Sequence, residues 1–276
     1  MSITLADALR EAALLGLDRL DAQLLLLHAL GRGGNDRGWL IAHDTDAPPA
    51  PRLEAYRALC ARRAAGEPVA YLVGEKEFFG LSLAVDARVL VPRPETETLV
   101  EWALEVLAGR ERPRVVDLGT GSGAIALAVA RSRPDALVEG VDASEDALAV
   151  ARENARRLAL PVDFRQGSWL AGTAQHYDLA VSNPPYVAQD DPHLAALTHE
   201  PLQALAAGPD GLDDLRAIVA QAPACLAPGG WLLLEHGWDQ AGAVQALLRD
   251  AGFGEITSRA DLAGIARCTG GQRPGA

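Results

Sequence analysis

The residues with the clearest chemical content are Asn183-Pro184-Pro185-Tyr186, which end the apolar run Leu179-Ala180-Val181-Ser182. The run reads as a buried strand. Two consecutive prolines lack N–H donors and fix φ, so the chain must leave the sheet at Asn183 in a stiff, extended turn. Asn183 offers a side-chain carbonyl, a neutral acceptor. The backbone carbonyls of the Pro184-Pro185 segment lack a helix or strand partner and can accept too. Two acceptors on a rigid loop can hold both hydrogens of a planar NH2 group, and Tyr186 supplies a flat ring against which that group can stack. Asn183, Pro184, Pro185 and Tyr186 are therefore candidate substrate-binding residues, and Asn183, Pro184 and Tyr186 candidate catalytic ones. The substrate would be a conjugated amine or amide nitrogen. A plain turn is the simpler use of the same residues; a second motif weighs against it.

That motif is Val115-Val116-Asp117-Leu118-Gly119-Thr120-Gly121-Ser122-Gly123-Ala124, an apolar strand running into a glycine loop that opens a helix. Glycines there let the backbone approach a ligand closely. Asp142 ends the next strand, where an acid can accept both hydroxyls of a ribose. Two cofactors compete. The run Gly119-x-Gly121-x-x-Ala124 satisfies a nicotinamide dinucleotide fingerprint. S-adenosyl-L-methionine is favoured by Asp117, because an acid at that strand end can serve the ammonium of a methionine moiety and would repel a pyrophosphate. Asn183-Pro184-Pro185-Tyr186 favours it again, since hydride transfer has no use for an amine clamp.

The elements that must position these groups alternate regularly. Strands are expected at 114–117, 136–142, 162–165, 177–182 and 230–235, with helices at 122–131, 144–158, 212–226 and 239–251. Such alternation implies a parallel sheet with right-handed crossovers. Segments 255–258 and 266–269 would add an antiparallel edge hairpin. Ahead of this, Leu5, Leu9, Ala12 and Ala13, then Leu20, Leu24, Leu27 and Leu30, recur at helical spacing, and a further helix runs over 53–65 after a proline-rich break at 47–51. The period switches to two at Phe79, Leu81, Leu83 and Val85. With Val89-Leu90-Val91 as a second arm, this reads as a β-hairpin joining two domains. Pro94, Glu95 and Glu97 then mark a helix start, as proline and acids do in a first turn.

The whole chain bounds the reading. It has 276 residues, 49% of them hydrophobic, and a net charge of −12. A nucleic-acid binder usually shows a basic footprint, which this balance opposes. Cys60, Cys225 and Cys268 are far apart and form no metal or disulfide pattern. The first residues lack the basic start of a secretion signal, and no run reaches membrane-spanning length. A cytoplasmic, soluble protein without metal is expected.

Taken together, these motifs resemble a known family, the peptide chain release factor N5-glutamine methyltransferases (PrmC/HemK). The resemblance covers nearly the whole chain. It includes Tyr71-Leu72-Val73-Gly74, Glu77-Phe78-Phe79-Gly80, Val91-Pro92-Arg93-Pro94-Glu95-Thr96-Glu97, the glycine loop, Ser182-Asn183-Pro184-Pro185-Tyr186, Glu200-Pro201-Leu202-Gln203-Ala204-Leu205 and Leu234-Glu235-His236-Gly237. It implies an α/β, Rossmann-like class I S-adenosylmethionine-dependent methyltransferase fold at 93–276, a β-hairpin linker at 76–92 and a small helical substrate-recognition domain at 1–75. It implies cofactor contacts from Gly119, Thr120, Gly121, Ser122, Gly123, Asp142, Trp169 and Asn183, to which the reading above adds Asp117. It implies that Asn183 to Tyr186 hold a substrate glutamine, that release factors are the protein partners, and that the enzyme is a monomer acting on neither nucleic acid nor membrane. Two rivals share the motifs: a methyltransferase for an exocyclic base amine, which would have to be unpaired or flipped out, and a non-catalytic nucleotide-binding protein. The C-terminus departs from the family pattern. Thr269-Gly270-Gly271-Gln272 follows Asp261-Leu262-Ala263-Gly264-Ile265-Ala266-Arg267 where a glycine-arginine strand is usual, which bears on the last strand. The same Gly-Gly-Gln repeats the release factor target; it is either chance or a substrate mimic on a loose tail.

Overall fold

The computed structural model describes residues 3–275. The chain divides into two compact units, one running to Glu75 and the other from Lys76 onward. The first holds α1 (Leu5–Leu14), α2 (Arg19–Ala29), α3 (Arg37–Ala42), α4 (Ala50–Ala64) and α5 (Val69–Val73). Helix α1 starts at a capping box: the Thr4 hydroxyl accepts from the Asp7 N–H, and the Asp7 carboxylate accepts from the Thr4 N–H. Leu25, Leu26 and Leu27 are all buried because α2 is the central helix, with α1, α3, α4 and α5 packed around it. Helix α4 begins at Ala50, earlier than its apolar spacing suggests. Pro51 falls in its first turn, where a missing N–H is harmless, so the proline-rich stretch is partly a helix start and not a break.

The second unit opens with a short hairpin, β1 (Glu75–Phe78) and β2 (Leu81–Ala84), and a 3-10 turn over Pro94–Thr96 leading into α6 (Glu97–Val106). Then come β3 (Arg114–Leu118), α7 (Ala124–Ser132), β4 (Leu137–Asp142), α8 (Glu145–Leu158), β5 (Val162–Gln166) and β6 (Tyr177–Ser182). After a long segment carrying two further 3-10 turns, α9 (Asp213–Cys225), β7 (Leu226–Glu235), α10 (Ala241–Asp250), β8 (Gly254–Ala260) and β9 (Ala266–Gln272) complete the chain. Seven strands form one sheet in the order β5-β4-β3-β6-β7-β9-β8. The first five run parallel, as the strand–helix alternation requires; β9 is antiparallel to β7 and to β8.

Successive side chains of a strand point to opposite faces, and the two cores follow that rule. Val115, Val181 and Leu233 pack with Leu99, Trp102 and Leu127 on one face. Val116, Ala180 and Leu234 pack with Leu215, Ile218 and Val244 on the other.

Two expectations change. The hairpin closes within residues 75–84, and Val89-Leu90-Val91 is not its second arm. Asp86 accepts from the Arg88 N–H through its carboxylate (3.0 Å) and from the Val89 N–H through its carbonyl (3.1 Å). This aspartate turn diverts the chain out of the ladder. Phe78, Leu81 and Leu83 are buried in the same core as α6 and α7, so the hairpin is built into the second unit. The C-terminal departure leaves the last strand intact. Gly270 and Gly271 pair with Leu233 and Leu232 inside the sheet. A Cβ on Gly270 would sit 2.4 Å from the Leu233 side chain and 2.8 Å from Trp102. Close packing thus explains these glycines, and Gln272 donates to the Gly229 carbonyl at 3.0 Å instead of extending as a substrate mimic.

Candidate active site

The sheet order places β3 and β6 side by side, with the following parallel strands on opposite flanks; this is the switch point where α/β sheets open a crevice. Leu118 pairs with Ser182, and the Ser182 hydroxyl donates to the Leu118 carbonyl at 2.6 Å. The residues that follow, Gly119 and Asn183, therefore leave the sheet together. The two motifs separated in sequence meet here.

The glycine loop is held by backbone donors. The Gly119 and Thr120 N–H groups both donate to the Val141 carbonyl, at 2.8 and 3.0 Å. The Gly121 N–H donates to one oxygen of Asp142 and the Ser144 N–H to the other, each at 2.9 Å. Both carboxylate oxygens of Asp142 are thereby oriented, and each keeps a lone pair for a further donor. Gly119 needs to be glycine: its φ is +69°, and a Cβ would lie 3.1 Å from the Trp169 ring. Trp169 itself has φ +53°, a conformation uncommon for so bulky a residue. Its ring is the neighbour that closes on Gly119.

A cavity of about 570 Å³ opens at this point, within the size range of small-molecule sites. Gly119, Gly121, Asp142, Trp169, Asn183 and Pro185 lie on its wall. The other sequence candidates stand behind that wall. Asp117 is 1% exposed and accepts from the Thr120 hydroxyl at 2.6 Å and the Ala126 N–H at 3.1 Å. Its Oδ1 is buried with no partner. Burial pushes its pKa up to about 7, against the pull of those two donors. The Ser122 carbonyl accepts from Asn154, which also pairs with both backbone groups of Ala84 and so ties β2 to the loop. Gly123 takes φ +83° at the start of α7. Pro184 is buried, and its carbonyl receives no hydrogen bond among the described residues. The Tyr186 ring is largely buried, and its hydroxyl donates to Glu235 Oε1 at 3.3 Å.

Sequence reasoning missed three contributors. Thr96, read only as part of a helix start, accepts from Asn183 Nδ2 at 3.1 Å. Glu200 is buried; it accepts from the Val91 N–H at 3.1 Å and pairs with Arg93, which fixes the stretch whose Val89 and Leu90 wall the cavity. Glu235 is 1% exposed with Oε2 unpartnered. Burial raises its pKa to about 7 despite the Thr96 and Tyr186 hydroxyls, which act to lower it. Its neighbour His236 is fully committed. Nδ1 must donate to the Gly237 carbonyl (2.8 Å), so Nε2 accepts from Thr269 (2.7 Å), and burial keeps the ring neutral by lowering its pKa. Among the described residues no cluster of His, Cys, Asp or Glu could hold a metal ion, and no helix is long and apolar enough to cross a membrane.

A mostly parallel sheet with a glycine loop, a strand-end acid and an Asn-Pro-Pro-Tyr turn at its switch point is the frame of a Rossmann-like methyltransferase. The family described as "Methyltransferase small domain" matches residues 98–248, and the "PrmC N-terminal domain" matches 4–74. The chain belongs to the release factor glutamine methyltransferase family. It is 53% identical over 260 residues to the release factor glutamine methyltransferase of Bordetella pertussis, covering 93% of this chain and 95% of that one. It is 50% identical over 272 residues to that of Xylella fastidiosa, covering 97% and 98%. A T. thermophilus 16S rRNA methyltransferase, solved with AdoMet and guanosine, shares the fold at 22% identity and TM-score 0.56, covering 72% of this chain and 49% of that one.

Proposed function

We infer that this chain transfers a methyl group from S-adenosyl-L-methionine to the side-chain amide nitrogen, N5, of the glutamine in the Gly-Gly-Gln motif of peptide chain release factors. The observation that carries this reading is Asn183: its NH2 end is taken by Thr96, so its carbonyl is left as an acceptor at the cavity wall. With the unbonded Pro184 carbonyl beside it, the turn supplies the two acceptors that an amide NH2 needs.

The cavity fits the cofactor. Asp142 has both oxygens oriented toward further donors for a ribose, the backbone of Gly119 and Gly121 is open to close approach, and the buried, unpartnered Asp117 Oδ1 suits the neighbourhood of a cationic group. When bound, S-adenosylmethionine supplies a methyl group already activated on a sulfonium. The chain's own task is positioning. An amide nitrogen is a weak nucleophile because its lone pair is delocalised into the carbonyl. Acceptors on both N–H bonds return electron density to the nitrogen and fix the face it presents, at the roughly 3–3.5 Å separation that productive attack requires. No strong base is needed, since methylation makes the nitrogen acidic and water can take the proton. His236 is unsuited to that role, having both ring nitrogens engaged.

We propose that the helical unit, with Leu14, Leu15, Leu20 and Ile41 exposed, contributes to recognition of the release factor. The negative net charge supports a protein substrate over a polyanion. A release factor substrate in turn implies a cytoplasmic enzyme. The test is transfer from labelled cofactor to an intact release factor, with its Gly-Gly-Gln glutamine replaced by alanine as control. Labelling confined to the unaltered factor is expected; equal labelling of the control, or labelling of RNA instead, would refute the assignment.

A further inference from the structure

Burying a carboxylate is costly unless it is paired and hydrogen-bonded. The Glu200 side chain is 3% exposed, and both of its oxygens are engaged by one distant segment. Oε2 accepts from the Val91 N–H at 3.1 Å, and Oε1 accepts from the Arg93 guanidinium at 2.5 Å. These bonds join two stretches of the cavity wall. Pro201, Gln203 and Ala204 follow Glu200, and Arg88, Val89 and Leu90 precede Val91; all six line the cavity. Neither stretch is held by a sheet or an α-helix. Residues 85–93 belong to no helix or strand, and Leu202–Ala204 is a 3-10 turn. The opposite wall, by contrast, hangs from the ends of β3 and β4 through the glycine loop and Asp142. Two donors converge on Glu200, so the group between them must accept twice. A carboxylate does so; a carboxamide of the same shape would turn an NH2 toward one of the donors.

We propose that Glu200 and Arg93 are positioning residues that latch these two irregular stretches together across the cavity, and so set how long S-adenosylmethionine is retained. The inference rests on the cofactor and goes beyond the reading of the methyl acceptor. A ligand enclosed by a wall leaves no faster than the wall opens. The latch has an unequal build. Arg93 is 36% exposed and can regain water when it lets go, whereas Glu200 would be left buried and short of a donor. That asymmetry favours the closed state, because removing one partner of a buried pair strands the other charge. The opening then starts at the guanidinium, on the solvent side, with the Val91 bond still made. Weakening the pair should therefore speed the cofactor's departure.

The test measures dissociation of labelled S-adenosylmethionine after a chase with excess unlabelled cofactor, in the full chain and without release factor. It compares the wild type with Glu200→Gln, with Arg93→Met, which keeps a long stem without the charge, with Arg93→Lys, which keeps the charge, and with the Glu200→Gln/Arg93→Met double variant. A wild type that binds no cofactor would refute the functional reading; the latch is judged on variants of a wild type that binds. Glu200→Gln and Arg93→Met should each speed dissociation on the order of 10-fold, as loss of one charge-assisted hydrogen bond implies. Arg93→Lys should recover most of that. The double variant should stay within about twofold of the worse single variant, because both break one pair. In turnover, KM for the cofactor should rise by more than kcat falls. Should Glu200→Gln fail to fold, the two Arg93 variants, at a partly exposed position, still decide. Dissociation unchanged in Arg93→Met would overturn the proposal. So would an Arg93→Lys variant no better than Arg93→Met, effects that multiply in the double variant, or a loss of kcat with KM for the cofactor unmoved.

Discussion

Asp117 and Glu235 form a natural pair. Each is 1% exposed, and each lies on a strand flanking β6, one on the glycine-loop side and one on the far side. Each has one oxygen without a partner and a pKa raised to about 7 by burial. Their bonded partners differ. Asp117 is held by Thr120 and Ala126, both within ten residues of it in the chain, so it stabilises one local loop. Glu235 faces Thr96 and Tyr186, which arrive from separate parts of the chain. A buried acid satisfied locally shapes backbone, whereas one satisfied by distant side chains orients them. The first holds the glycine loop to the start of α7; the second lies against the Asn-Pro-Pro-Tyr turn through Tyr186.

The largest expected effect lies on the Glu235 side. Asn183→Ala removes one of two acceptors for the substrate NH2, and the single-turnover rate of methyl transfer should fall on the order of 10²–10³-fold, by analogy with losing one oxyanion-hole donor. Cofactor affinity should change much less. If the rate survives and cofactor affinity collapses instead, the division between loop and turn is wrong. The matching change on the other side is Asp142→Ala. Losing a charge-assisted bond should weaken cofactor binding by about 1.5–3 kcal/mol, read by calorimetry. Because Asp142 also holds the Gly121 and Ser144 N–H groups, part of that loss should appear as looser order in the loop. Unchanged affinity would remove Asp142 from the site.

Much of this was legible in the sequence, and the limits have identifiable causes. The alternation of apolar runs with helical spacing carries the strands up to β7 and their parallel direction, though not their order, because buried parallel strands leave a strong local signal. Asp142 and Asn183 could be named because each sits at a strand end, and Trp169 only through the family resemblance. Thr96 could not. Its role depends on where β6 and β7 end, and a threonine beside two glutamates reads as a helix cap. Glu200 and Arg93 pair across a long segment whose 3-10 turns have no periodicity to register them. Val89 to Val91 form an apolar run that passes for a strand, yet Asp86 turns the chain away. Gly270 and Gly271 looked like a motif because the reason for them, the nearness of Leu233, Trp102 and Phe253, is purely tertiary.

A smaller effect separates the two acids by pH. In the unfolded chain both ionise near ordinary carboxyl values, from which the fold raises them to about 7. The unfolded state therefore loses its protons first, and between about pH 4 and 7 each group makes stability fall as pH rises. Their contribution is fully present below that window and lost above it. Glu95, Arg267 and Tyr186 face Glu235, and Asp142 faces Asp117, so the two need not titrate identically. Asp117→Asn and Glu235→Gln should each flatten the fall in unfolding free energy from pH 5 to pH 8, by an amount on the order of 3 kcal/mol or less. Variant-minus-wild-type curves isolate this from the exposed ion pairs, whose sign is opposite. Saturating cofactor should reduce the slope from Asp117 and leave that from Glu235 intact. Equal reduction of both would mean that the cofactor's charge reaches the clamp side as well.

The smallest effect tests which hydroxyl on Glu235 matters. Tyr186→Phe deletes one donor while keeping the ring. The bond it removes is long, 3.3 Å, and Thr96 still faces the same carboxyl. A neutral hydroxyl to an acid contributes about 0.5–1.5 kcal/mol in a well-formed bond, and this one should fall at the bottom of that range. Glu235 should become slightly harder to ionise, moving its step in the stability curve upward in pH. Methyl transfer should stay within about threefold of wild type, because the Asn183 amide is held by Thr96 and not by Tyr186. The decisive comparison is Tyr186→Phe against Thr96→Val in one assay. The Tyr186 hydroxyl bonds Glu235, whereas the Thr96 hydroxyl bonds Asn183. If Tyr186→Phe costs as much rate as Thr96→Val, the Asn183–Thr96 bond has no special weight in placing the substrate. If Thr96→Val is far worse while the two variants melt alike, the bond from Asn183 to Thr96 is the one that holds the substrate's partner in place.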